Sequence, residues 1–132
     1  GEIMSTQAQA SGIAGIIIDG AVRDADALST NGFPVFAAGL NPCGPTKSVA
    51  GRVNFPVSVA GAAIQPGDLV IGDIDGVVVL PREAVPALIE LAQKKLDFET
   101  SRIAAIRDGD LRAPWLEKAL LTAGMLVDGE VL

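Results

Sequence analysis

Residues 15–28, GIIIDGAVRDADAL, lead from an apolar run into a group of charged side chains. The run Ile13–Ile18 is short and apolar on both faces, which is typical of a strand buried from both sides. Arg23 and Asp24 follow in a turn that opens a helix, a place where α/β proteins tend to bind ligands. The pair is therefore a candidate site, although a structural ion pair with Asp24 as an ordinary helix N-cap explains it equally well. Asp19 is either a turn residue or a supporting carboxylate.

The remaining sequence predicts an α/β domain with a β-rich centre. Residues 2–11 favour a helix that ends at Gly12, and apolar residues recur at helical spacing between Val85 and Ile103. Turn residues separate several short apolar runs, as expected for strands and hairpins. The predicted strands are 33–36, one or two within 51–64, and a hairpin of 69–71 with 77–80; the predicted later helices start at Arg82 and cover 115–123.

Composition excludes several classes of function. The chain has 132 residues, enough for one domain, and its net charge of −6 argues against nucleic acid as a partner. No run of apolar residues is long enough for a membrane span, and the single Cys43 fits a reducing cytoplasm. Because histidine is absent, a bound metal would have oxygen ligands, which favours Mg²⁺ or Mn²⁺.

Several motifs in a fixed order point to a known family: Gly1-Glu2-Ile3-Met4, Gly12, GIIIDGAVRD, FPVFAAGLNP and VNFPVSVAGAAIQPGDLVIGDIDGVVVLP. Together they resemble the class II pyruvate aldolases that cleave 4-hydroxy-4-methyl-2-oxoglutarate and 4-carboxy-4-hydroxy-2-oxoadipate. The wider family also contains the RraA-like regulators of ribonuclease activity. The resemblance covers essentially the whole chain. It implies a swivelling β/β/α sandwich, assembled as a trimer or hexamer with active sites between subunits.

The resemblance implies a role for each residue of the charged corner. Asp24 would be the one direct protein ligand of Mg²⁺ or Mn²⁺, with water and substrate oxygens as the other ligands. Arg23 would bind the substrate's carboxylate or oxo group and stabilise the pyruvate enolate. Glu2 stands where the family places an acidic residue, often Asp, that contacts metal-bound water, and Asp19 would assist it. A Schiff-base lysine is not needed.

The resemblance also assigns substrate-binding groups outside this corner. The first helical turn, with Gly1, Ile3 and Met4, would hold the pyruvate carboxylate through backbone N–H groups, because a helix N-terminus attracts anions. Glu99 corresponds to a glutamate that reaches into a neighbouring subunit's site. The substrate would be a small 2-oxo acid, and decarboxylation of oxaloacetate would be a secondary activity.

Two questions stay open from the sequence. Family members carry a further N-terminal portion, so we expect either a missing segment or a second chain to supply it, with residues 1–81 as the C-terminal part of the family domain and 82–132 as a helical extension. The alternative function is that of a regulator acting by protein binding without catalysis. Phe98-Glu99 and the segment to Trp115 resemble the extension of the aldolases, which the short regulators generally lack.

Overall fold

The computed structural model describes residues 1–127 and has the mixed α/β architecture expected from the sequence. No helix in this part of the chain is long and apolar enough to cross a membrane. The elements, in chain order, are α1 (Glu2–Ala10), β1 (Ile16–Val22), α2 (Ala25–Thr30), β2 (Val35–Leu40), β3 (Val57–Val59), β4 (Ala62–Ile64), β5 (Leu69–Asp73), β6 (Gly76–Leu80), a 3₁₀ turn (Arg82–Ala84), α3 (Val85–Arg107) and α4 (Leu116–Thr122).

The chain divides into two compact units, Gly1–Val85 and a second that begins at Pro86. The first contains all of the strands of the described chain, and the second contains nearly all of α3 together with α4. The assignment of 1–81 to a family domain and 82–132 to an extension stays a prediction. Its last five residues, 128–132, lie outside the described residues.

The strand β1 pairs in parallel with β2 and contains a β-bulge. Ile18 pairs with Ala37 and Ala21 with Gly39, so β1 carries one extra residue between these pairs. The predicted limits of this strand, 13–18, are wrong. The turn that ends α1 extends to residue 13, whose N–H donates to the Ala8 carbonyl at 3.1 Å, and the strand therefore starts later and continues through Asp19.

The expectation that this strand is buried on both faces is also wrong. Only Val22 is buried among the residues of β1, and the others are half-buried or exposed. The physical reason is that a strand is buried on both sides only where other layers cover both faces of its sheet, and the two-stranded sheet of β1 and β2 lacks such cover in the described chain. The predicted strand 33–36 is likewise displaced, since β2 begins at Val35 and continues to Leu40.

Two antiparallel hairpins complete the β-structure. Ala60 and Gly61 connect β3 to β4, and both have positive φ angles (48° and 82°), the backbone conformation of a tight type I′ hairpin turn. The predicted hairpin of β5 and β6 is confirmed, with Asp73 paired to Gly76. In its turn the Asp75 N–H donates to Asp73 Oδ1 at 2.9 Å, so the Asp73 carboxylate stabilises the turn.

Two contacts connect the three sheets. The Asp19 carboxylate, on β1, accepts the N–H of Ala60 through Oδ2 at 2.8 Å and so ties the β3–β4 turn to the first sheet. On β2, the Phe36 ring lies against the backbone of Gly72 on β5. The well-buried residues of the described chain are few and come from α1, the end of β1 and the residue group before β2: Ser5, Ala8, Val22 and Phe33.

The second unit contains the predicted long helix, which is confirmed as α3. Two hydrogen bonds from Arg102 fix the segment that follows α3. Its guanidinium donates to Asp110 Oδ2 at 2.9 Å and to the Arg112 carbonyl at 2.5 Å, so this segment folds back against the helix. Many apolar side chains of α3 are nevertheless exposed, among them Ile89, Leu96, Phe98 and Ile103. The helix predicted over 115–123 is present as the shorter α4.

We predict that Gly72→Ala destabilises the chain because a Cβ at this position would lie 2.6 Å from Cζ of Phe36, inside van der Waals contact. Displacing a ring in this way costs about 1–3 kcal/mol. Urea unfolding followed by circular dichroism measures the loss. Gly39→Ala is the matched control, since nothing lies within 4 Å of a Cβ there and its φ is not positive. Equal stability of the two variants would contradict the Phe36 contact.

Candidate functional site

Asp24 forms the centre of the candidate site. It immediately precedes α2, as an N-cap residue would, but its side chain does not cap that helix. Instead Oδ2 accepts the N–H of Glu2 at 3.0 Å, across 22 positions of sequence, and so caps α1. The backbone of Asp24 is left-handed (φ 62°, ψ 40°), a conformation that Asp and Asn tolerate better than most residues.

Arg23 lies beside this carboxylate. Its Nε is 3.6 Å from Asp24 Oδ2, and both side chains are about half exposed. A Cβ on Gly1 would overlap Asp24 Oδ2 and lie 3.0 Å from Cγ of Arg23, so the corner closes only on a residue without a side chain. Within the described residues the structure shows no hydrogen bond from the terminal Nη1 and Nη2 groups of Arg23. A guanidinium has five N–H donors, and those of the two amino groups remain available to an anion.

The N-terminus of α1 contributes further donors. Its cap residue, Gly1, has no side chain with which to accept a hydrogen bond from the first turn. The N–H of Glu2 is used by Asp24, whereas those of Ile3 and Met4 belong to a first turn whose donors have no partner within the helix. The helix dipole adds partial positive charge at this end. Arg23, Asp24 and the first turn of α1 therefore meet at one corner.

Asp19 is not part of this corner. It lies inside β1 rather than in a turn, so its interpretation as a turn residue is wrong. Its carboxylate is engaged with Ala60, and Asp19 borders a largely apolar, open cavity of about 570 Å³ that is lined by residues of β1, β2, β3, β4 and β6. Asp19 itself lies within the β-bulge, between the paired residues Ile18 and Ala21. The structure thus gives Asp19 a role in holding the sheets together.

Glu99 lies on α3, in the second unit. Its Oε1 is 3.3 Å from the Nζ of Lys95, one helical turn earlier, and both side chains are mostly exposed. An exposed pair at this spacing contributes only about 0.3–0.5 kcal/mol. Breaking this ion pair therefore costs little free energy, and the Glu99 carboxylate is free to exchange Lys95 for another partner.

The donor set of the corner fits a hard divalent cation held by one protein carboxylate. Among the described residues no three acidic, cysteine or histidine side chains are grouped as a metal cage. Asp24 Oδ2 is occupied by Glu2, but Oδ1 has no hydrogen-bond partner in the described chain and the side chain is partly exposed. Mg²⁺ usually binds through one or two carboxylates and retains several waters, which matches this arrangement.

Sequence reasoning located this corner but missed how it is built. Nothing in the local pattern around Asp24 indicates that its carboxylate caps a helix 22 residues earlier. The glycine at position 1 did carry a signal, because a glycine directly before a helix often permits a close backbone approach. Gly44, whose built Cβ would lie 3.2 Å from Nη1 of Arg23, was also missed.

Comparisons with known proteins agree on one family. Residues 1–79 match the family model described as RraA-like, Aldolase/RraA. A putative 4-hydroxy-4-methyl-2-oxoglutarate aldolase of Halalkalibacterium halodurans is 38% identical over 122 residues, which are 91% of this chain and 58% of that protein. The chain thus spans little more than half the length of this curated relative.

Two solved structures are also similar. An uncharacterized protein from Pseudomonas syringae has a TM-score of 0.72 and 33% identity over 82% of this chain and 55% of its own. Streptomyces coelicolor RraAS2, described as an unusual member of the RNase ES inhibitor RraA family, has a TM-score of 0.69 and 30% identity over 78% and 54%.

We predict that Asp24→Ala destabilises the chain by roughly 1–3 kcal/mol, because it removes the cap of α1 and places alanine in a left-handed conformation. Asp24→Asn retains an acceptor oxygen and tolerates that conformation, so it should keep most of the stability. Urea unfolding measures both. Asp26→Ala is the control for loss of a nearby carboxylate, since no hydrogen bond to its side chain exists in the described chain. A loss in Asp24→Asn equal to that in Asp24→Ala would contradict the capping role.

Proposed function

This chain belongs to the RraA-like family, Aldolase/RraA, and from that membership we propose that it is a divalent-metal-dependent aldolase. The proposed substrates are 4-hydroxy-4-methyl-2-oxoglutarate or 4-carboxy-4-hydroxy-2-oxoadipate, which would yield pyruvate and a second 2-oxo acid. The observation that carries the proposal is the meeting of Asp24, Arg23 and the N-terminus of α1 at one corner. The similarity to a putative aldolase supports the same reaction class.

In this proposal the cofactor is Mg²⁺ or Mn²⁺, held by Asp24 through Oδ1. When bound, the cation supplies a Lewis acid that polarises the oxygens of the 2-oxo acid. Arg23 contributes a fixed positive charge where negative charge develops as the carbon–carbon bond breaks and the enolate of pyruvate forms. The same stabilisation of an enolate accounts for decarboxylation of oxaloacetate as a secondary activity.

The first turn of α1 would position the substrate. The N–H groups of Ile3 and Met4, next to the Gly1 cap, bind the carboxylate of the pyruvate moiety. Glu2 is fixed beside Asp24 by its own backbone N–H, and its side chain is exposed. We assign to the Glu2 carboxylate the transfer of the proton between the substrate hydroxyl and solvent.

We further propose that the chain acts as a trimer or hexamer, with additional polypeptide covering its sheets. Two-stranded sheets are marginally stable alone in water. Those seen here leave apolar side chains uncovered on strands β3, β5 and β6, among them Val57, Ile71 and Val78, and the curated relative is nearly twice as long as the matched part. In such an assembly Glu99 of one subunit would serve the site of another.

A second candidate function is regulation of a ribonuclease by protein binding. The similarity to RraAS2, from a family described by its inhibition of RNase ES, favours it. The catalytic proposal differs in requiring the free Oδ1 of Asp24 and the open donors of Arg23, whereas binding alone requires neither. Activity measurements on these two residues therefore separate the candidates.

We predict release of pyruvate from 4-hydroxy-4-methyl-2-oxoglutarate and from oxaloacetate in the presence of Mg²⁺ or Mn²⁺, and its loss with EDTA. A lactate-dehydrogenase-coupled assay measures it. The assay is run on this chain and on a form extended to the full length of its relatives. Activity of the extended form alone would show that the additional part completes the site. Absence of pyruvate from both would reject the aldolase and favour the regulator.

Two variants serve as controls for this assay. Asp24→Asn should lose at least about 100-fold in activity, because the amide preserves the cap of α1 but is a weak ligand for a hard cation. Arg23→Lys should lose a similar amount, since a point charge does not reproduce the planar fork of a guanidinium on a carboxylate. Near-normal turnover of either variant would remove that residue from the proposed mechanism.

We predict that Glu99→Gln is inactive and that coexpression with Asp24→Asn restores activity. If each site combines Asp24 of one subunit with Glu99 of another, random assembly leaves about a quarter of the sites intact. The restored fraction is measured by pyruvate release from the purified mixed oligomer. Lys95→Gln, which removes the ion pair of Glu99 but not its carboxylate, is the control and should stay active. Two inactive parents with no restoration would contradict a shared site.

A further inference from the structure

Gly44 borders the guanidinium of Arg23. It lies in the loop that follows β2, and a Cβ built on it would stand 3.2 Å from Nη1, tighter than an ordinary van der Waals contact. The φ angle of Gly44 is not in the left-handed region, so its backbone conformation does not itself require glycine. A side chain at position 44 would therefore meet the guanidinium of Arg23, which would have to shift by a few tenths of an ångström to admit it.

The opposite side of Arg23 is also confined. Gly1 approaches Cγ and Nε, and the Asp24 carboxylate lies near Nε. These contacts hold the stem and the inner nitrogen but leave Nη1 and Nη2 without a hydrogen-bond acceptor in the described chain. The donors left open are the two that form a fork on a planar carboxylate, the stronger type of charge-assisted pairing.

We propose that Gly44 is a positioning residue that keeps the Nη1 edge of Arg23 open to a carboxylate ligand. The loop after β2 comes near enough to limit where the guanidinium moves, and the missing side chain leaves room for the anion. A valine at position 44 would occupy that room and push the fork aside. The inference rests on the proposed function only for the identity of the ligand, a 2-oxo acid; the access to Nη1 is a property of this chain alone.

The test measures access to Arg23 directly. Phenylglyoxal condenses with the guanidinium nitrogens, and mass spectrometry of the Arg23 peptide, normalised to Arg107 in the second unit, gives the relative rate of modification. We expect Gly44→Val to slow modification of Arg23 about fivefold or more and Gly44→Ala to slow it less. Phenylglyoxal must reach the terminal nitrogens of the guanidinium, and the larger side chain covers more of them. Oxalate, a planar dicarboxylate, should protect Arg23 in the unaltered protein and protect it less in Gly44→Val.

The matched control is Gly51→Val, in the same loop, where nothing lies within 4 Å of a built Cβ and φ is not positive. It should leave the modification rate unchanged. In the pyruvate assay Gly44→Val should raise KM about tenfold and also lower kcat, since Arg23 binds the anion and stabilises the negative charge that develops on it. A general structural defect would instead lower the active fraction, and with it kcat, at constant KM.

An unchanged rate at Arg23 in both Gly44 variants would overturn the inference, as would equal slowing in Gly51→Val. The milder Gly44→Ala decides the question if the valine variant does not fold. Failure of the proposed function is seen separately: the unaltered protein would release no pyruvate, while the labelling rates and oxalate protection would still report whether Gly44 controls access to Nη1.

Discussion

The hydrogen bond between the Glu2 N–H and the Asp24 carboxylate is the constraint on which the candidate site depends. It joins the start of α1 to the end of β1, two elements that sequence separates. Through it, Glu2 is placed at the corner, Ile3 and Met4 bring the next N–H groups, and Arg23 follows from its covalent bond to Asp24. If the hydrogen bond between Glu2 and Asp24 were lost, the residues assigned to substrate and metal would belong to two unconnected elements.

The energetics of this bond explain why its surroundings matter. A hydrogen bond to a charged acceptor contributes about 1.5–3 kcal/mol, and a left-handed non-glycine residue costs on the order of 1–3 kcal/mol. The two are similar, so the bond alone does not hold Asp24 in place. The additional stabilisation comes from α1, where Ser5 and Ala8 are buried and the Ser5 hydroxyl donates to the Glu2 carbonyl at 2.9 Å. The buried side of α1, with Ser5 and Ala8, thus supports the residues of its N-terminal turn.

Sequence reasoning was most successful where local chemistry decides structure. Turn residues and helical periodicity gave the β5–β6 hairpin and α3 close to their observed limits, because both patterns act over a few residues. It left alternatives open where long-range contacts decide. Asp24 reads as the N-cap of α2 but caps α1, and Asp19 reads as a turn residue but anchors a turn 41 positions later. The roles of Gly44 and Gly72 depend on neighbours distant in sequence, which no local pattern encodes.

In the proposed function the Asp24 carboxylate would perform two tasks with its two oxygens. Oδ2 holds α1, which would leave Oδ1 for a cation. The two oxygens are chemically equivalent, but one of them must accept the Glu2 N–H, so only the other is open to the cation. Glutamate would not replace this aspartate, because an added methylene shifts both oxygens relative to Glu2 and places a residue with little tolerance for the left-handed region at position 24. The site also uses α1, the end of β1 and Gly44, and none of these lies in the exposed hairpin β5–β6. Covering that hairpin would therefore change the stability of the chain more than the geometry of the site.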